Sequence, residues 1–142
     1  MSISNTGKKA EKLVEAVLKK WNNRSGFAYF RLPDSRAARN FLTAQPGDFA
    51  YYCGPRAGIL EVKSTQHPYR LAKDKISQLP TLKKLSAAGA ANLVLVQHTT
   101  ENVWRILYPG GLDSSVPSWD LRAVETYPDA ESALLSTRYF DL

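Results

Sequence analysis

Cysteine is nearly absent. Cys53 stands alone, so no internal disulfide can staple the chain. Histidine is almost as scarce: His67 and His98, far apart and with one thiol between two imidazoles, make no zinc constellation and read as packing or surface residues. No run of 18 or more apolar residues occurs, which removes support for a membrane span. The opening MSISNTGKKAEK lacks the charged, apolar and small-residue blocks of a secretory signal, so the expectation is a soluble intracellular protein, cytoplasmic or with the nucleoid. Internal repeats, low-complexity tracts and long linkers are missing too. What remains is 142 residues with 44% hydrophobic and 11% aromatic content, enough for one domain over 1–142 with its own core.

Charge is plentiful and uneven. The formal net charge is +6, but residues 1–84 hold 16 of the 19 basic groups and 6 of the 13 acids, whereas residues 85–142 hold 3 and 7. A lysine-rich solvated helix face gives such a pattern, and so does a surface that neutralises phosphates and releases counterions. Charge alone does not choose between them.

Periodicity places the elements. NTGKKAEKLVEAVLKKWNN carries Ala10, Leu13, Val14, Val17, Leu18 and Trp21 at helical spacing, with Asn5 or Thr6 as cap. FAYFRL predicts a strand, and the polar stretch PDSRAARNFLTAQPG predicts a loop with a helical turn. GDFAYYCGPRAGILEVKS predicts two strands joined by a Gly-Pro turn. STQHPYRLAKD reads as a connection, and KDKISQLPTLKKLSAAG as a helix interrupted near Pro80 and ended by Gly89. ANLVLVQHT and NVWRILYP predict two strands around a TEN turn; beyond Pro109 the pattern is loop-like until DAESALLSTRYF, a short helix capped by Asp129. The fold class expected is α/β or α+β, a mixed central sheet with helices on its faces.

Asp48, Glu61 and Lys63 interrupt this apolar pattern. Glu61 and Lys63, two apart on a strand, share a face. With 13 acids and 10 lysines, about one acid-x-lysine triplet arises by chance, so context must decide. Here the triplet lies inside AGILEVKS, where an unpartnered charge would cost several kcal/mol (about 2–7 for a polar group alone) or be forced neutral. A hairpin centred near Pro55 pairs residues whose numbers sum to about 110 and brings Asp48 near Val62; a one-residue shift or a bulge carries it to Glu61. Two carboxylates converging at a sheet end suit a hard divalent ion such as Mg²⁺, with Lys63 orienting a water or stabilising developing charge. An Asp/Glu/Lys salt-bridge cluster with no catalytic role fits the same three residues. On the first helix, a rotation of about 100° per residue sets Glu11 nearer the apolar stripe than Glu15, hence the better candidate to reach over the sheet edge; stabilising the helix's positive end is its competing role.

With Glu11, Asp48, Glu61 and Lys63 placed, the chain resembles the PD-(D/E)xK nuclease superfamily, and within it Holliday-junction resolvases of the archaeal Hjc and bacterial RecU types. The matching text is GKKAEKLVEAVL, PGD, LEVKS and KISQL, over about residues 7–108. The resemblance implies a restriction-endonuclease-like mixed sheet flanked by helices, and Mg²⁺ (or Mn²⁺) held by Asp48 and Glu61 with help from Glu11. It also implies Lys63 and Gln78 as further catalytic residues, and a symmetric homodimer acting on branched DNA. Lys8 and Lys9 on the first helix, with Arg31, Ser35, Arg36 and Arg39 in RLPDSRAARNF, are candidate DNA contacts, and Phe41 a candidate wedge. A solvated basic loop is the alternative for that stretch.

The expected function is therefore a metal-dependent, structure-selective DNA endonuclease resolving four-way junctions. A restriction-like or nicking enzyme of the same fold and a non-catalytic DNA-binding module are the alternatives.

Overall fold

The computed structural model describes residues 3–33 and 45–142, with side chains from Gly7 onward. In chain order the elements are α1 (Ile3–Trp21), β1 (Phe27–Arg31), β2 (Phe49–Cys53), β3 (Arg56–Thr65), β4 (Arg70–Ala72), α2 (Leu79–Ala87), β5 (Leu93–His98), β6 (Val103–Leu107), β7 (Ser118–Asp120) and α3 (Ala130–Leu135). The main sheet has the order β1-β2-β3-β5-β6, antiparallel except for the parallel β3–β5 pair, and β4 and β7 form a separate two-stranded ribbon. The α/β class and the mixed sheet flanked by helices are as expected. Among the described residues no helix is long and apolar enough to cross a membrane.

The sheet separates two cores. On one side Ala10, Val14, Leu18 and Trp21, at helical spacing on α1, pack with Phe49, Leu60, Val62 and the α3 residues Ala133 and Leu134. On the other, Leu79 and Leu82 of α2 meet Val94, Val96 and Leu107, and the ribbon adds Leu71 and Trp119. Each such aliphatic or aromatic side chain contributes about 1.5–3 kcal/mol on burial. Leu13, expected in the α1 stripe, is instead 49% exposed. Asn92, buried between the layers, accepts from the Ile59 N–H and donates to the Leu82 carbonyl and Ser86 hydroxyl, tying β3 and α2 together.

Several boundaries differ from the sequence pattern. α1 starts at Ile3, ahead of the expected cap. Pro80 does not interrupt a helix: a 3₁₀ turn at Lys73–Lys75 ends first, and Pro80 lies in the first turn of α2, where its missing N–H has no helical partner to lose. Gly89, at φ +111°, follows α2 as predicted. The connection STQHPYRLAKD and the loop-like tail each contain one three-residue strand, β4 and β7; pieces so short show no alternation to detect. Asp129 caps α3, its carboxylate accepting from the Ser132 N–H at 2.7 Å.

On the α2 side, no helix among the described residues lies over β1 and β2. Phe30 and Tyr52 project there, 63% and 59% exposed. They border an apolar hollow of about 350 Å³ whose floor includes Ala28, Ala50, Ala57 and Gly58. Gly58 lies so close to the Ala91 backbone that no Cβ could be accommodated.

Candidate active site

The hairpin register settles how the acids meet. β2 and β3 pair as Phe49↔Leu60, Tyr51↔Gly58 and Cys53↔Arg56, one step from the register centred on Pro55. Continued past Phe49, it sets Asp48 opposite Glu61, the shift that their meeting required. Asp48 is fixed by three bonds: its N–H donates to the Leu60 carbonyl, its own carbonyl accepts from the Leu32 N–H, and its Oδ2 accepts from the Val62 N–H at 2.7 Å. The carboxylate thus takes the place of a ladder carbonyl. Gly47 makes this possible, since a Cβ there would collide with Ile59 and crowd the Leu60 carbonyl.

Glu61 is buried in the middle of β3, 6% exposed, and Lys63 Nζ lies 3.3 Å from its Oε2. Burial first, then the hydrogen bond to Asp48 and that residue's negative charge, push the Glu61 carboxyl up to about 9; Lys63 opposes the shift without cancelling it. Glu61 is therefore the acid that keeps its proton into the neutral range, beside the Asp48 carboxylate that helps to raise it.

Glu11 comes in from α1. Burial and then Asp48 raise its pKa, while Arg31 and Lys63 lower it, so it lies within the electrostatic reach of the cluster. Its direct partner is Arg31, whose Nη2 is 2.7 Å from Glu11 Oε1. Arg31 also holds Glu15 at 3.1 Å and lies over the Phe49 ring, 5.1 Å from its centroid. Its guanidinium is half exposed and engaged by two carboxylates.

No family model and no curated protein matches the chain. Among solved structures it is similar to Hjc from Archaeoglobus fulgidus, a Holliday junction resolvase from an archaeal hyperthermophile, at 21% identity and a TM-score of 0.49, over 92% of this chain and 88% of that one.

Asp48, Glu61 and Lys63 are thus in contact, with Glu11 beside them. Among the described residues no three of His, Cys, Asp and Glu form a group that could hold a metal ion, so the three-acid set Asp48, Glu61 and Glu11 is present as a close pair and an outlying glutamate tied to Arg31. The donor chemistry still suits a hard divalent ion, because Mg²⁺ takes one or two protein carboxylates and completes its shell with water and substrate oxygens. Four carboxylates, Glu11, Glu15, Asp48 and Glu61, face two cations, Arg31 and Lys63.

Gln78 sits just before α2, half-buried; its carbonyl accepts from Leu82 N–H, and among the described residues no hydrogen bond links it to the cluster. Lys8 and Lys9 are exposed on α1. Ser35, Arg36, Arg39 and Phe41 lie outside the described residues.

Sequence reasoning turned Glu15 towards water. It instead accepts from the Tyr29 hydroxyl and Arg31, both at 3.1 Å. The signal was its place four residues after Glu11, which sets both on one helix face. A second polar cluster was also missed. His98 is fully buried, its Nδ1 donating to the His67 carbonyl at 2.7 Å and its Nε2 accepting from Arg105 at 3.0 Å. Arg105, itself buried, donates to the Pro68 and Val124 carbonyls. The hint was the alternation Val94, Val96, His98 along β5, which directs the imidazole to the α2 side of the sheet.

Proposed function

We propose that this chain is a divalent-metal-dependent, structure-selective DNA endonuclease that resolves four-way junctions by phosphodiester hydrolysis, acting as a homodimer. The observation that carries the reading is the pairing of Asp48 with the buried Glu61, with Lys63 3.3 Å from Glu61. A plain salt bridge pairs one acid with one base, whereas here two carboxyls converge on one ammonium, and a metal ion is the further cation that would let both ionise despite the burial of Glu61.

Mg²⁺ or Mn²⁺ held by Asp48 and Glu61 supplies Lewis-acid polarisation of the phosphate and a water of lowered pKa. The chain's own groups do the rest. Asp48, held by Val62 N–H and by its backbone bonds, keeps one carboxylate oxygen fixed and the other directed to the Glu61 side. Glu61 would ligate such a cation only as the ionised carboxylate, its proton lost to solvent. Lys63 is placed to orient the attacking water or to balance charge on the phosphate. Glu11, anchored by Arg31, adds a carboxylate beside the pair for an outer water. Branched DNA as substrate follows from the PD-(D/E)xK sequence pattern and the basic surplus of the first 84 residues.

The homodimer finds support in the aromatic face that β1 and β2 present among the described residues. Phe30 and Tyr52 project beside an apolar hollow floored by alanine and glycine, so knob and socket lie on one patch, as a two-fold interface requires. Tyr52→Glu should shift the protein to monomer in light scattering, and an unchanged mass would move the interface elsewhere.

The decisive experiment incubates the protein with a labelled four-way junction, a duplex and a single strand, each with Mg²⁺, Mn²⁺ or EDTA. Junction cleavage that needs metal and is lost in Asp48→Asn is expected. Equal cutting of duplex would favour the restriction-like alternative, and binding without cleavage in either metal would favour a non-catalytic module.

A further inference from the structure

Immediately after Lys63, the chain crosses to the β4–β7 ribbon through a segment without a single acid: no Asp or Glu occurs between Glu61 and Asp74, while Lys63, Arg70 and Lys73 do. Arg70 lies seven positions after Lys63, a span of at most about 25 Å if fully extended. That is about seven base-pair steps of duplex at most. The path is held firmly. Arg105 and His98 grip the Pro68 and His67 carbonyls from beneath, and the Leu121 N–H donates to the Tyr69 carbonyl at 2.6 Å.

On this ribbon two guanidinium groups share one carboxylate. Arg122 binds Asp120 through Nε and Nη2, the latter at 2.6 Å, and Arg70 approaches the same Oδ2 at 3.9 Å while donating to the Ser118 hydroxyl at 3.2 Å. The triad carries one positive charge more than it neutralises. Its cations remain open, with side chains 44% exposed for Arg70 and 66% for Arg122. Arg122 also lies over the Tyr69 ring at 4.7 Å, and His67 meets that ring edge-on at 4.8 Å. Stacking and a shared carboxylate orient these side chains before any ligand arrives, lowering the ordering cost of binding.

We propose that Arg70 and Arg122 form a phosphate-contact point for the DNA strand whose scissile phosphate lies at Asp48 and Glu61, engaging the backbone on the Lys63 side of the cut. The assignment rests on the nuclease reading above for its ligand and extends it to a surface that the sequence motifs did not mark. A salt bridge that only stabilises the ribbon would use the same three residues, but would leave DNA affinity untouched.

The test is fluorescence anisotropy with a labelled four-way junction in EDTA, repeated across salt concentrations. Each phosphate contact contributes about 0.9 to the slope of log affinity against log salt on duplex DNA. Arg70→Ala/Arg122→Ala should lower that slope by about 1 to 2 and weaken binding about tenfold or more at low salt. Arg70→Lys/Arg122→Lys, which keeps the charge, should retain most of the slope. Arg24→Ala, at the exposed turn after α1, is the control for general loss of charge and should leave the slope near wild type. A double alanine variant that melts like wild type and shows the wild-type slope overturns the proposal, as does a loss no greater than that of Arg24→Ala. Metal-dependent cleavage measured in parallel separates the two readings. Wild-type cleavage with no slope change sinks the ribbon contact alone; a slope change with no cleavage in any metal sinks the nuclease reading alone; absence of DNA binding by the wild type sinks both.

Discussion

Two polar clusters are set into the same sheet, and they differ in whether their chemistry closes. At His98 and Arg105 every strong group has a suitable partner: the imidazole donates to one carbonyl and accepts from the guanidinium, which donates to two further carbonyls. Burial lowers the His98 pKa, so the ring stays neutral and the arrangement carries the one charge of Arg105. At Asp48 and Glu61 two acids face one another and one lysine, and burial raises the glutamate. Both clusters satisfy hydrogen bonding, since among the described residues no buried side-chain nitrogen or oxygen lacks a partner. The difference lies in titration: burial holds the His98 ring neutral beside a hydrogen-bonded cation, whereas it holds the Glu61 carboxyl protonated beside a second acid, and the metal site proposed above is read from that second arrangement.

The sharpest way to break this comparison is through activity. Asp48→Asn should reduce junction cleavage by about 10³-fold or more, as loss of several kcal/mol of metal-derived stabilisation requires, with near-wild-type junction binding. Initial rates at saturating metal decide it; a variant that cuts normally removes Asp48 from the chemistry. Arg105→Ala comes next. It leaves the Pro68 and Val124 carbonyls and the His98 nitrogen without their donor, and should lower stability in urea unfolding by about 3 kcal/mol. A loss within about 0.5 kcal/mol, the range of ordinary surface substitutions, would show that the clamp holds nothing.

The pH responses should have opposite signs. Between the ordinary carboxyl value of 4.5 and about 9, the folded metal-free protein binds a proton at Glu61 that the unfolded chain has released. That stabilisation is complete at low pH and is lost as pH rises, at up to about 1.4 kcal/mol per pH unit. Glu61→Gln should flatten this slope in unfolding curves measured in EDTA; the same slope in both proteins would place the titration elsewhere. For His98 the lowered pKa means that the unfolded chain takes up a proton below 6.5 that the folded ring refuses, so stability falls as the solution is acidified. This is the smallest effect expected. His98→Gln should reduce it, and NMR titration of the imidazole should show a midpoint below the ordinary 6.5.

How much of this could be read from sequence follows from the length scale of each feature. α1 and strands β2, β3, β5 and β6 bury enough apolar residues at regular spacing to announce themselves, and Asp48, Glu61 and Lys63 stood out because they interrupted that spacing. β4 and β7 did not, being three residues each and stabilised by partners 48 positions apart, as between Arg70 and Ser118. Arg31 was read as a candidate contact for DNA, whereas Glu11 and Glu15 hold it from a different element. The hairpin register was off by one because a turn centred on Pro55 and one spanning Gly54 and Pro55 differ by half a residue at the tip. Alternation survives such an error only if the partner strand's parity is known, and local pattern does not supply it.

Asp48 is joined by backbone to Leu32 on one flank and Leu60 on the other, so the chain between Leu32 and Asp48 leaves and re-enters the sheet at a single stitched point. Doubling the length of such an excursion costs only about 0.6 kcal/mol in closure entropy. Closure entropy alone therefore sets little limit on the length of chain ahead of Asp48, and the carboxylate is positioned by Leu32, Leu60 and Val62. The position of the carboxylate is thus set by one knot of hydrogen bonds, whatever the length of chain that leads into it.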